Sequence, residues 1–133
     1  MTYMGNKKYI DLVHKELSYE LCGILFEAYN QLGYGYPEKY YERAIIKLLT
    51  DKKIGFKNQV PYILSYRGKI IGKNFLDFLI DDKIILEIKK NQNYSRKNIE
   101  QVNKYLKITG LKLGILANFT PQGVKFMRLV NIK

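Results

Sequence analysis

The chain has 133 residues, of which 47% are hydrophobic and 26% charged, a balance that supports one globular domain with a modest core and excludes a disordered polyelectrolyte. Its 23 basic residues against 12 acidic ones leave a net charge of +11, which favours a polyanion or an anionic surface as partner. No run approaches the length of a membrane span, the start from Met1 to Glu20 holds no apolar signal-peptide core, and the lone Cys22 excludes an internal disulfide, so a cytoplasmic setting without membrane contact is expected.

Taken in chain order, Leu17 to Leu32 reads as a helix with Leu21, Ile24, Leu25 and Ala28 on one stripe. His14 precedes it as a surface residue with no histidine or cysteine cluster to complete a zinc site. Cys22 lies in an apolar run as a buried structural thiol. Gly33-Tyr34-Gly35 breaks the helix, and Pro37 suits the first turn of a second helix running to about Asp51 with Tyr41, Ala44, Ile45, Leu48 and Leu49 as its stripe. Gln59 to Tyr66 is a first strand, turning through Arg67-Gly68-Lys69 into a long second strand from about Ile70 to Ile80; Ile84 to Lys89 is the third. After the polar stretch from Asn91, a helix from about Arg96 to Thr109 carries Ile99, Val102, Tyr105 and Leu106 and ends at Gly110. Leu113 to Asn118 and Val124 to Val130 are two more strands. The order ααβββαββ predicts a single α/β domain with a mixed β-sheet flanked by helices.

The segment Asn74 to Lys90 carries the chemistry, because Asp77, Glu87 and Lys89 stand inside two otherwise apolar strands. Buried charges cost several kcal/mol to desolvate unless they pair or bind something. A three-residue loop, Asp81-Asp82-Lys83, sets Ile80 against Ile84 and therefore Asp77 against Glu87. One face of the hairpin is then wholly apolar, with Leu76, Phe78, Ile80, Ile84, Leu86 and Ile88, whereas a two-residue loop mixes both faces. Two carboxylates directly opposite repel, and a divalent cation such as Mg²⁺ or Mn²⁺ relieves that repulsion with hard oxygen ligands. The alternative is a structural Asp–Lys or Glu–Lys pair on a half-exposed strand. Glu38, one heptad before Ile45, projects from the apolar side of its helix; it either complements the helix dipole or reaches a site on the sheet.

Gly35-Tyr36-Pro37-Glu38-Lys39-Tyr40-Tyr41 resembles the pattern that names the GxxExxY family of small prokaryotic proteins, itself similar to the PD-(D/E)XK nuclease superfamily. Asp77 followed by Glu87-Ile88-Lys89 resembles that superfamily's acid and ExK elements, and the helix and strand from Ile99 to Phe119, with Gln101 and Tyr105, resemble the part that follows. Leu76 stands where the superfamily's name has proline. The resemblance covers about Leu17 to Val130 and implies a restriction-endonuclease-like core.

It also implies a metal-dependent nuclease using Mg²⁺ or Mn²⁺ on nucleic acid, DNA ahead of RNA. Asp77, Glu87 and the carbonyl of Ile88 would be metal ligands, with Glu38 an additional ligand or catalytic carboxylate. Lys89 would orient or help deprotonate the attacking water, and Gln101 would position water or phosphate unless it is simply an exposed helix residue. Lys90, Arg96, Lys97, Lys104 and Lys107 then form a phosphate-binding rim rather than a merely solvated face. Tyr41 and Tyr105 lie on apolar stripes as packing residues. A domain with one active site often cuts duplexes as a homodimer, and no interface is legible in the sequence. The alternative of another class is a catalytically inactive nucleic-acid-binding or protein-interaction module on the same fold.

Overall fold

The structure is a computed structural model that describes residues 13–90 and 95–131. Helix α1 (Lys15–Leu32) and helix α2 (Glu38–Asp51) precede three strands, β1 (Phe56–Tyr66), β2 (Lys69–Ile80) and β3 (Ile84–Lys90). Helix α3 (Arg96–Thr109) then leads into β4 (Leu113–Thr120) and β5 (Gly123–Val130). The predicted element order is therefore the observed one, in a single α/β domain.

The five strands lie in the order β1-β2-β3-β4-β5, with β3 and β4 parallel and every other neighbouring pair antiparallel. Parallel neighbours need a crossover, and α3 supplies it. Its N-terminus is capped by Ser95, whose hydroxyl accepts the Asn98 N–H at 3.1 Å, and it ends at Gly110, held at φ 77°. Helix α3 covers one face of the sheet, where Val102 and Leu106 pack with Val60, Leu76, Leu79, Ile85, Leu116 and Leu129. Helices α1 and α2 cover the other, burying Leu21, Ile24, Leu25, Tyr41, Ile45 and Leu49 against Phe78, Ile80, Ile84, Leu86, Ile88, Ile115 and Phe119. Apolar burial on both faces of β3 and β4 explains why those strands read as near-continuous hydrophobic runs.

Three local expectations change. Pro37 sits just before α2 rather than inside its first turn. Strand β1 starts earlier than its apolar pattern indicated, because Phe56, Lys57 and Asn58 pair with Ile80, Leu79 and Phe78 of β2 despite the polar side chains of Lys57 and Asn58. Cys22 is half-buried rather than buried, with its thiol pushed up in pKa, chiefly by desolvation; His14 is half-buried too.

The largest correction concerns Leu76. It packs under α3 with Leu79, not with Phe78 and Ile80 on the opposite face. On β1, likewise, Phe56 packs on the α1–α2 side and Val60 on the α3 side, although both are even-numbered. Alternation thus breaks on both strands at the rung of Gln59 and Asp77. Gln59 takes a left-handed φ of 57°, which extended backbone does not adopt, and the ladder skips from Asn58↔Phe78 to Val60↔Leu76. The interruption falls on the rung that carries Asp77.

Candidate active site

The β2–β3 loop is the expected three-residue Asp81-Asp82-Lys83, closed by the Lys83 N–H donating to the Ile80 carbonyl at 2.9 Å. Asp81 and Asp82 adopt φ of 50° and 54°, a left-handed conformation that aspartate tolerates better than most residues. The pairs Ile80↔Ile84, Leu79↔Ile85 and Phe78↔Leu86 follow, and then the ladder stops. Continuing the register sets Asp77 against Glu87. Here the side chains take over from the backbone: the Asp77 N–H donates to Glu87 Oε1 at 2.6 Å, and the Ile88 N–H donates to Asp77 Oδ2 at 2.8 Å. Each carboxylate is fixed by the other strand's main chain, so the two acids are positioned together.

This position is electrostatically expensive. Glu87 is only 6% exposed, and its pKa is pushed from 4.5 up to about 8, first by desolvation and then by the charge of Asp77. Asp77 rises from 3.8 to about 6, again mainly by desolvation, with Glu42 and Glu38 adding repulsion. The backbone N–H bonds and the Lys89 ammonium oppose both rises without cancelling them. The two acids titrate as a pair, so the rise belongs to the site as a whole.

Lys89 and Glu87 alternate with Ile88 and lie in register with Asn118 and Leu116 of β4, on the α3 side of the sheet, where Leu116 packs. Gln101 belongs to that same layer and is half-buried on α3 beside Val102. Glu38 arrives from the other layer as the first residue of α2, and its Oε2 accepts the Lys90 N–H at 3.0 Å. It is thereby tied to the end of β3 rather than acting on the helix dipole alone.

The pattern around Glu38 has a physical account. Gly35 adopts φ 114°, a conformation that disfavours other residues, and its carbonyl accepts from Lys90 Nζ at 3.3 Å. Tyr41 is fully buried, stacks on Phe119 with centroids 4.4 Å apart, and donates its hydroxyl to the Gly33 carbonyl that ends α1. Glycine and glutamate thus join the α1–α2 connection to β3, and tyrosine joins it to β4.

Glu42 is the site residue that sequence reasoning missed. One turn beyond Glu38, its Oε2 accepts from Asn58 Nδ2 at 2.6 Å and from Gln59 Nε2 at 2.8 Å, while Asn58 Nδ2 also reaches the Asp77 carbonyl at 3.0 Å. Glu42 therefore clamps the irregular rung beside Asp77. The available signal was its i+4 spacing from Glu38.

The expected phosphate rim divides. Arg96, Lys97, Lys104 and Lys107 are exposed on α3, with Arg96 bonded to Glu100 at 3.1 Å. Lys90 alternates with Lys89 and turns toward the α1–α2 connection, its ammonium over the Tyr34 ring. Asn91 to Tyr94 lie outside the described residues.

A profile of the PD-(D/E)XK nuclease superfamily matches residues 15–129. The chain belongs to that superfamily. A likeness to the crystal structure of SSO0001, with a TM-score of 0.53 and 17% identity over 89% of this chain and 60% of that one, bears on the fold alone. The chain thus spans about three fifths of that structure's length. No curated protein matches. PD-(D/E)XK nucleases act on nucleic acid and generally use divalent metals. Among the described residues no three acidic, histidine or cysteine side chains converge as a metal cluster, so Asp77 and Glu87 would carry the protein's share. That fits magnesium, which keeps several waters and is held by one or two carboxylates plus substrate phosphate. Two hard-oxygen donors whose ionisation is opposed by burial and mutual repulsion are the donor set a dication would relieve. Among the described residues no helix is long and apolar enough to cross a membrane.

Proposed function

We propose that this domain is a metal-dependent nuclease that hydrolyses phosphodiester bonds, with DNA ahead of RNA as substrate. The observation that carries the reading is the reciprocal bonding of Asp77 and Glu87 at a rung where the sheet has given up its own hydrogen bonds. Structural pairing alone would match an acid with a base, whereas this site buries two acids together.

Asp77, Glu87 and the Ile88 carbonyl would hold Mg²⁺ or Mn²⁺, and Glu38 would join them through water, with the oxygen that does not cap Lys90. When bound, the metal supplies charge neutralisation on the phosphate and a more acidic water. The chain's own contribution is positioning. Lys89, on the Glu87 side of the strand, orients the attacking water and stabilises charge developing on the phosphoryl oxygens. Gln101 lies in the same layer as a group that fixes water or phosphate. Arg96, Lys97, Lys104 and Lys107 offer exposed cations to the backbone of the nucleic acid. Assignment to the narrower GxxExxY group is supported by the distinct structural roles of Gly35, Glu38 and Tyr41.

Calorimetric titration with Mn²⁺ and cleavage assays on single- and double-stranded DNA and RNA test the proposal together. Asp77→Asn and Glu87→Gln are expected to lose Mn²⁺ binding and cleavage, and Lys89→Met to bind Mn²⁺ while cleaving at least about 100-fold more slowly. Wild-type protein that binds no Mn²⁺ through these carboxylates and cuts none of the four substrates would refute it.

A further inference from the structure

The β1–β2 hairpin extends past the rest of the sheet. The β2–β3 ladder covers only Phe78 to Ile80, and among the described residues Lys69 to Leu76 pair with β1 alone. From Val60↔Leu76 outward the ribbon runs about 20 Å to a two-residue turn. There Arg67 and Gly68 take φ of 49° and 77°, the twist-matched geometry of a tight hairpin. The turn is one residue shorter than the sequence indicated, because Lys69 already pairs with Tyr66. A register shift at Leu64 and Ser65 coils the ribbon near its tip.

Beyond Tyr62, which is buried beside Tyr105 of α3, this arm is exposed and apolar. Tyr66, Ile70 and Ile71 are 60%, 63% and 59% exposed, and Ile63, Leu64 and Phe75 are exposed as well. A long apolar hairpin left bare invites association. Its charges, however, have a single sign: no aspartate or glutamate occurs between Asp51 and Asp77, while Arg67, Lys69 and Lys73 lie on the arm. Arg67 sits over the Tyr66 ring at 5.5 Å and Lys73 over the Phe75 ring at 5.4 Å. Two copies of so basic an arm repel one another, which disfavours self-pairing, and a polyanion complements them.

We propose that the β1–β2 ribbon is a duplex-DNA-binding arm, with Arg67, Lys69 and Lys73 on phosphates and the apolar tip against sugars and base edges. A two-stranded ribbon fits the major groove of B-form DNA, whereas the deep, narrow major groove of an RNA duplex does not admit side chains. The arm grows from the strand that presents Asp77, and Lys73 is only four residues away. A duplex held by the ribbon therefore runs past the paired carboxylates. The choice of nucleic acid as occupant rests on the phosphodiester reading above.

The test is fluorescence anisotropy in EDTA with a duplex of about two helical turns, over about 50–200 mM salt, comparing wild type with the triple variant Arg67→Ala, Lys69→Ala, Lys73→Ala. The variant should bind at least about tenfold more weakly, and its log–log salt slope should fall by about 2–3, near 0.9 for each lost phosphate contact. The matching RNA duplex should bind wild type more weakly and feel the triple change little. An unchanged affinity and salt slope, or equal arm dependence for RNA, overturns the proposal. So does a wild-type dimer in sedimentation that the triple variant abolishes. Hydrolysis of bis(p-nitrophenyl) phosphate with Mn²⁺, a substrate too small to reach the arm, separates the two readings. Activity retained by the triple variant supports the arm as a binding element, and activity lost overturns that role. Failure of wild type on this compound and on nucleic acid counts against the nuclease reading, while anisotropy still decides the arm.

Discussion

Replacing Glu87 by glutamine removes one ionisable proton from the buried pair while keeping an oxygen to accept the Asp77 N–H. In the folded state Glu87 titrates at about 8 against an ordinary 4.5, so between those values the native state holds a proton that the unfolded chain has released. Stability from this group is therefore complete below about pH 4.5 and is lost as pH rises through about 8. At about 1.4 kcal/mol per tenfold change in proton affinity, the loss between pH 5 and pH 9 is on the order of 4 kcal/mol. That is a large share of the roughly 5–15 kcal/mol available to a domain of this kind.

Urea unfolding of wild type and Glu87→Gln in EDTA, repeated across pH 5–9, gives the difference between the two proteins at each pH, in which unaffected groups cancel. The difference should move in favour of the variant as pH rises, because only wild type carries the Glu87 proton that is lost. Saturating Mn²⁺ should reverse the order, stabilising wild type by about 2.7 kcal/mol at a hundredfold excess over its dissociation constant and the variant far less. A stability difference independent of pH would refute the reasoning, because it would mean that Glu87 folds with its ordinary proton affinity.

Glu42→Ala removes the acceptor shared by Asn58 and Gln59 and a negative charge that raises Asp77. It is expected to cost about 1–2 kcal/mol in urea unfolding and to lower the Asp77 carboxyl pKa in an NMR titration. Glu38→Ala releases the Lys90 N–H at the end of β3, so hydrogen exchange at that amide should accelerate while the amides of Leu106 and Ile115 stay protected. At Gly114 an added Cβ would lie 2.6 Å from Val102 Cγ1; Gly114→Ala should cost about 1–3 kcal/mol by forcing α3 away from β4, measured by thermal or urea unfolding.

Much of the site was visible because charges in apolar strands are costly and therefore informative. The pattern of Phe78, Ile80, Ile84 and Leu86 sufficed to choose a three-residue loop, and the observed register agrees with it. Leu76 was misread because alternation was extended through Asp77, and nothing local announces that Gln59, about 60 Å of extended chain away through the hairpin, takes a left-handed φ on the opposing rung. Glu42 escaped notice for a related reason. As one more charged residue on an amphipathic helix it resembled its solvated neighbours, and only its partners on β1 distinguish it.

Lys90 shows the same limit from the other side. It looked like the next cation after Lys89, but strand alternation sends it to the α1–α2 connection, where Gly35 and Tyr34 receive it. The ribbon was likewise legible as two strands but not as an arm, since where β3 stops pairing with β2 depends on the carboxylates that displace the ladder.

The sequence by itself determined the order of elements, the hairpin register and the cost of placing Asp77 and Glu87 among apolar residues, because these follow from periodicity, turn chemistry and desolvation along one stretch of chain. Tertiary structure alone decided that Glu38 would cap Lys90, that Glu42 would clamp the Asp77 rung and that the basic ribbon would stand clear of the sheet. Those outcomes depend on hydrogen bonds and strand ends contributed by segments far apart in the chain, and no local pattern encodes which of them will meet.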